Sequence, residues 1–188
     1  MIRSNYDKVP QVKVSGMDDQ CWSGWKNVME ALSDRSDGGV VVIECYVGVS
    51  ADEIVAAVRE RLPSATIFES ENFFHEPEEI ERKVAPFLGK DDPIFGYHSA
   101  LRMEDFFSPE KLTVLHSGIE SVKAGPVVVI GPGASIVHPG DVLVYAEMPR
   151  WEAQGRMRRN EMSNLGIRNR ESKWSLQYKR AFFNDWPV

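Results

Sequence analysis

The sequence has little of what disulfide scaffolds, membrane proteins and nucleic-acid-binding proteins require. Its two cysteines, Cys21 and Cys45, fall on an expected helix and an expected buried strand, which predicts reduced thiols. The apolar runs are only strand length, so we expect no membrane span, and the N-terminus lacks the apolar stretch of a secretory signal. A net charge of -6 disfavours nucleic-acid partners. Together these absences predict a cytoplasmic location.

Histidine is also scarce, and its spacing predicts no metal site. The chain has four histidines, His75, His98, His116 and His138, and they share no recognisable ligand spacing. Glutamates follow His75 closely, but the same pattern fits an acidic helix N-terminus, which the helix dipole favours. We therefore expect no metal and no cofactor within this chain.

What is present fits one α/β domain over residues 1–188. The composition, 43% hydrophobic and 27% charged, is ordinary for a globular protein, and the length suits a single core. We expect an irregular arm at residues 1–16 and a core of sheet and helices at residues 40–147. An arginine-rich lid-like segment at residues 148–170 and an aromatic helix at residues 171–188 follow.

Runs of β-branched residues alternate with helical patterns along the core. Strands are predicted over residues 40–46, 65–68, 93–97, 127–130 and 141–146. The helices between them include one capped by Asp18 or Asp19 that carries Trp22 and Trp25, and one that starts at Ser108-Pro109. This alternation predicts a three-layer α/β/α sandwich with a mostly parallel sheet and functional loops at the carboxyl ends of the strands.

The segment after the first strand looks like an incomplete phosphate loop. Gly48 and Ser50 precede a helical pattern, but the lysine of G-x-x-x-x-G-K-[ST] is absent. Ser50 and Glu53 form a capping box, so one interpretation is a well-capped strand-to-helix turn. The other is an anion site, because the backbone N–H groups of Gly48, Val49 and Ser50 would lie at a helix N-terminus.

Three further features are candidates for chemistry. The arginines of the late segment form either a solvated face or a phosphate-binding group: Arg150, Arg156, Arg158, Arg159, Arg168 and Arg170. Glu71 follows the second strand and is either a general base or a surface carboxylate. The stretch Gly131-Pro132-Gly133-Ala134-Ser135 either approaches a ligand closely or forms a sharp turn.

The order of these motifs resembles the uridine-kinase-like group of phosphate-loop kinases over about residues 40–170. The resemblance lies in Ser70-Glu71-Asn72-Phe73-Phe74, Asp105-Phe106-Phe107-Ser108-Pro109-Glu110 and the stretch 141–160. It implies phosphate binding by Gly48, Val49 and Ser50 with Arg150, Arg156 and Arg159, and a catalytic role for Glu71. The chain departs from the family in the missing lysine, in Glu71 for aspartate and in Asn160 for an acid, which places catalysis in doubt.

A second resemblance covers nearly the whole chain. Ser4-Asn5-Tyr6-Asp7-Lys8, Gly140-Asp141-Val142-Leu143 and Tyr178-Lys179-Arg180-Ala181-Phe182-Phe183 are similar to the N-terminal segment of bacterial class I mannose-6-phosphate isomerase-like proteins. In that family a downstream cupin barrel would hold zinc and the sugar phosphate. Nothing here resembles the barrel, so isomerase activity would belong to that other domain.

The C-terminal pattern places aromatic residues every four positions, at Trp174, Tyr178, Phe182 and Trp186. Such a stripe packs into the domain's own core or docks a cupin domain or a second subunit. We expect a non-catalytic or weakly ligand-binding domain that takes a phosphorylated small molecule. The alternatives are an atypical nucleoside or sugar kinase and a self-contained isomerase.

Overall fold

A single parallel sheet organises the protein. The structure is a computed structural model that describes residues 10–16, 22–36 and 39–188. Its four strands are β1 Val40–Cys45, β2 Thr66–Glu69, β3 Val127–Gly131 and β4 Val142–Ala146, in the spatial order β2-β3-β1-β4. Every pairing is parallel, and Val42 of β1 lies opposite Val129 of β3 and Leu143 of β4. The α/β prediction is confirmed, and the described sheet is wholly parallel.

Helices connect and cover the strands. The α-helices of the described residues are α1 Gly24–Ser36, α2 Ala51–Arg61, α3 Pro77–Val84, α4 Pro109–Ser121, α5 Ala134–Val137, α6 Arg150–Arg158 and α7 Trp174–Arg180. Ser50 caps α2 and Ser108 caps α4, each side-chain oxygen accepting from the backbone N–H three residues on. These two helix starts agree with the sequence prediction.

The core has two parts because β1 and β3 bury side chains on both faces. Val41, Ile43 and Cys45 pack with α1 and α2 on one face. Val42 and Val129 pack on the other face, with residues of α3, α4 and α6. Alternate residues of a strand point to opposite faces, so a continuous apolar run serves both clusters.

The predicted strand at residues 93–97 is wrong. This segment is an irregular loop in which Ile94, Phe95 and Tyr97 are exposed. The Asp92 carboxylate accepts hydrogen bonds from the backbone N–H groups of Ile94 at 2.8 Å and Phe95 at 2.7 Å. A side chain thus satisfies donors that a neighbouring strand would otherwise bind, which is how aspartate favours a turn over a ladder.

Other boundaries differ from the sequence pattern at the ends of the chain. Helix α1 begins at Gly24, so Trp22 precedes it, and the predicted caps Asp18 and Asp19 lie outside the described residues, as does Cys21. Helix α7 continues into a wider π-helical turn over Ala181–Asp185, closed by the bond from Trp186 N to Ala181 O at 2.9 Å. Among the described helices, none has the length and apolar content to cross a membrane.

Candidate functional site

A cleft of about 610 Å³ opens at the carboxyl ends of β1, β2 and β3. Its walls are the turn between β1 and α2, the residues that follow β2, and the loop 159–173 after α6. The connection from β1 leads to one edge of the sheet, at β2, while the connection from β3 leads to the other edge, at β4. Ligands of parallel α/β sheets bind where the connections from two neighbouring strands lead to opposite edges of the sheet.

The turn of residues 46–50 forms one wall of the cleft. Gly48 has a φ of +111°, and a Cβ there would lie 3.3 Å from both Met148 Sδ and Met162 Cε. Glycine adopts this conformation without strain, and a larger residue would also require the two methionine side chains to shift by a few tenths of an ångström. The Ser50 hydroxyl accepts from Glu53 N at 3.4 Å, which confirms the serine half of the predicted capping box.

Arg156 joins the arginine-rich segment to this turn. Its Nη1 donates to the backbone oxygen of Gly48 at 3.2 Å, and its Nε lies 3.5 Å from Glu152 Oε1. Gly48, Val49, Ser50 and Arg156 all line the cleft. Four of the six residues predicted to bind phosphate are therefore brought together.

The other two predicted phosphate ligands, Arg150 and Arg159, do not line the cleft. The guanidinium of Arg159 is paired with Glu152 at 2.8 Å and with Glu161 at 2.8 Å, and these carboxylates raise its pKa above the usual range. Arg150 lies over the ring of Trp186, 4.9 Å from its centre. Arg168 and Arg170 line the cleft instead. Both belong to the arginine-rich segment of the sequence. Nothing in the local pattern distinguished them, as cleft residues, from Arg150 and Arg159.

The cleft is electrostatically mixed. Carboxylates lie beside the arginines and outnumber them: Asp52, Glu69, Glu71, Glu161 and Glu171 against Arg156, Arg168 and Arg170. The lining residues include no lysine. This arrangement suits a ligand that has an anionic end together with hydroxyl or amine groups, because carboxylates accept hydrogen bonds and repel anions.

Glu71 lies in the short 3₁₀ turn Ser70–Phe73, directly after β2. Its side chain is exposed in the cleft, whose protein walls partly desolvate the carboxyl and raise its pKa. Repulsion from Glu69 and Asp52 raises the pKa further, while Arg168 opposes the change. A carboxyl with a raised pKa beside a cleft is the electrostatic signature of a general base, although structural carboxylates share it.

The loop 159–173 is anchored by a buried polar network. Asn164 donates to the backbone oxygen of Gln177 at 3.0 Å and to the carboxylate of Asp185, and both acceptors belong to the C-terminal helical region. Arg180 donates to Leu165 O at 2.9 Å and to Glu81 Oε1 at 2.6 Å. The wall predicted as a lid is therefore held in place by hydrogen bonds to the C-terminal helical region.

The glycine-rich stretch 131–135 already binds an anion of its own chain. Glu44, at the end of β1, accepts from Gly133 N at 2.6 Å through Oε1 and from Ser135 N and Oγ at 2.8 Å each through Oε2. These contacts occupy the donors of Gly133 and Ser135, so the stretch forms a sharp turn around a carboxylate of its own chain.

The histidines and the described cysteine make separate local contacts. His75 Nδ1 lies 3.2 Å from Glu79, His116 Nε2 lies 3.0 Å from Val137 O, and the ring of His98 packs on Phe182 and Phe183. Burial raises the pKa of Cys45 to about 12, so its thiol stays protonated. Across the described ranges, no group of three or more histidine, cysteine or acidic side chains is placed to hold a metal.

Comparison with known families shows which family the chain belongs to. The family model described as "Domain of unknown function (DUF8485)" matches residues 24–188. The chain belongs to the DUF8485 family. No curated protein and no solved structure matches this DUF8485 sequence.

Proposed function

We propose that this DUF8485 domain binds a small phosphorylated metabolite in the cleft and does not transfer its phosphate. The observation that carries the proposal is the hydrogen bond from Arg156 to Gly48 O at 3.2 Å, because it brings the predicted anion-binding turn and the arginine-rich segment into one site. The turn supplies a helix N-terminus, while Arg168 and Arg170 supply guanidinium groups for phosphate oxygens.

The carboxylates narrow the class of ligand. Asp52, Glu69 and Glu71 would repel a second phosphate but can accept hydrogen bonds from hydroxyl groups. A sugar phosphate or a nucleoside monophosphate has this combination. The resemblance to mannose-6-phosphate isomerase-like proteins makes mannose 6-phosphate the first ligand to test, and a cupin domain the partner we propose.

Kinship with phosphate-loop kinases is part of the same proposal. The strand order and the capped helix that follows β1 support it, and the missing lysine supports loss of phosphate transfer. In a working phosphate loop the lysine contacts the outer phosphates, and no lysine lines this cleft.

Calorimetric titration tests the proposal with mannose 6-phosphate, mannose and inorganic phosphate. We expect the phosphorylated sugar to bind and Arg168→Gln to weaken it about tenfold, the effect of losing one charge-assisted hydrogen bond. Arg150→Gln is the matched control, because Arg150 lies over the ring of Trp186 and does not line the cleft. Equal effects of the two substitutions, or equal binding of mannose and mannose 6-phosphate, would reject the assignment.

A second candidate function is an atypical small-molecule kinase. It is favoured by the contact of Arg156 with the turn, where a cation could replace the missing lysine, and by the raised pKa of Glu71, which suits a general base. Transfer of phosphate from ATP to mannose or uridine, abolished in Glu71→Gln, would support this candidate. Absence of transfer together with intact mannose 6-phosphate binding would favour the non-catalytic role.

A further inference from the structure

A second cavity lies away from the cleft, between the loop at residues 93–95 and helix α7. This groove has a volume of about 540 Å³, within the usual size range of small-molecule sites. Its lining is rich in aromatic rings: Phe95, Trp174, Tyr178, Phe182 and Phe183. The exposed positions of Phe95, Trp174 and Phe182 leave flat apolar surface open to an incoming molecule.

The two charged residues that line the groove are both cations, Arg158 and Lys179. Lys179 is only 7% exposed, and its ammonium donates to the backbone oxygen of Asp92. The Asp92 carboxylate accepts instead from Ile94 N and Phe95 N. Within the described part of the chain, Lys179 has no carboxylate within ion-pairing distance. The Asp92 carboxylate acts on Lys179 only at longer range than an ion pair. A nearly buried ammonium with one described acceptor therefore favours an added anion.

Arg158 occupies a complementary position at the end of α6. Its guanidinium lies 4.5 Å from the centre of the Trp174 ring, and no described carboxylate pairs with it. A guanidinium held over an aromatic face keeps its N–H donors at the edge of the plane, where a carboxylate can accept two of them. The groove therefore combines apolar walls with two cationic groups that have no direct carboxylate partner among the described residues.

We propose that this groove binds a small aromatic carboxylate. The flat apolar body would lie against Trp174 and Phe182, and the carboxylate would accept hydrogen bonds from Lys179 and Arg158. A neutral aromatic molecule would leave both cations without an anion, and an aromatic cation would be repelled by them. This site is separate from the cleft and does not depend on the function proposed for it.

Calorimetry with 2-naphthoate tests the proposal, with 2-naphthalenemethanol as the uncharged analogue. We expect 2-naphthoate to bind more tightly, and Arg158→Gln to weaken it about tenfold through loss of one charge-assisted pair while leaving the alcohol unaffected. Arg35→Gln is the matched control, because Arg35 also lies 4.5 Å from a tryptophan ring, that of Trp22, but outside the groove. Amide chemical shifts should change at Ile94 and Phe95 and along α7.

Several results would overturn the assignment. These are absence of 2-naphthoate binding, equal affinity for the acid and the alcohol, equal effects of Arg158→Gln and Arg35→Gln, and shift changes confined to the cleft. Sedimentation covers the remaining occupant: a dimer that 2-naphthoate dissociates would place a second copy of the chain in the groove. Failure here with intact mannose 6-phosphate binding would leave the cleft proposal standing, and the reverse result would leave this one standing.

Discussion

The Glu44 carboxylate bridges Gly133 and Ser135, with oxygen-to-nitrogen distances of 2.6 Å and 2.8 Å. This contact joins the end of β1 to the loop after β3 and gives that loop an internal anion. The turn after β1, in contrast, lines the cleft and contacts Arg156. The loops after β1 and β3 therefore differ in what their backbone N–H groups can bind.

Removing the internal anion should destabilise the fold. Glu44→Ala leaves the N–H groups of Gly133 and Ser135 without their acceptor, and we expect a loss of about 2 kcal/mol in the free energy of unfolding, as for hydrogen bonds to charged groups. Ser135→Ala removes only the hydroxyl contact and should lose about 1 kcal/mol. Urea denaturation measures both. Equal stability of Glu44→Ala and the unmodified protein would show that water replaces the carboxylate.

Gly48 should be more sensitive to substitution than another glycine with positive φ. In Gly48→Ala the new methyl group meets two methionines at a φ of +111°, so we expect a loss of about 2 kcal/mol or more. Gly24→Ala is the control, because Gly24 has a φ of +78° but nothing within 4 Å of a Cβ, and it should lose about 1 kcal/mol. Thermal denaturation compares the two. A larger loss in Gly24→Ala would contradict the importance of packing at the turn.

Glu71 should show a pH dependence opposite to that of Glu76. Partial desolvation by the walls of the cleft raises the pKa of Glu71, whereas the hydrogen bond from Lys111 lowers the pKa of Glu76. A raised folded-state pKa gives stability that is present at low pH and lost as pH rises through that pKa, and a lowered one gives stability that is lost as pH falls.

Glu71→Gln should therefore raise the urea midpoint at about pH 7.5, with the gain shrinking towards about pH 4, near the unfolded pKa of glutamate. Glu76→Gln should lower the midpoint at neutral pH and lose its effect in acid. A Glu71→Gln gain that grows on acidification would mean that the carboxylate form of Glu71 is favoured in the folded protein.

The aromatic stripe should divide into core and surface residues. Trp186 is 9% exposed and packs in the core, whereas Trp174 is 41% exposed beside the groove. We expect Trp186→Ala to lose about 3–5 kcal/mol, as for other buried aromatic truncations. Trp174→Ala should change stability by about 0.5 kcal/mol or less, as at other exposed positions. Chemical denaturation measures both, and similar losses would show that the stripe acts as one packing unit.

The purified chain should have no mannose-6-phosphate isomerase activity, even with added zinc. His75, His98 and His116 make separate local contacts, and the interconversion needs a positioned acid-base pair with help from a metal in that family. A coupled assay for fructose 6-phosphate measures the activity. Turnover that a chelator removes would contradict this prediction and would place the catalytic site in this chain.

Local sequence patterns were sufficient for the elements whose causes lie close together in the chain. The strands at Val40–Cys45 and Val127–Gly131, the caps at Ser50 and Ser108, and the parallel α/β class all follow from apolar periodicity and capping chemistry. The same patterns predicted a strand at residues 93–97, where Asp92 turns the chain by binding two backbone donors. An apolar run identifies a strand only when a neighbouring strand is available to pair with it.

The membership of the site was decided by the tertiary structure. Arg156 and Arg159 are three residues apart in sequence, yet one reaches Gly48 and lines the cleft while the other is neutralised by Glu152 and Glu161. Similarly, Glu44 meets a loop about ninety residues away. Composition and spacing reveal which residues can carry charge or bind an anion. Only the path of the chain decides which charges meet, because partners from distant segments compete for the same groups.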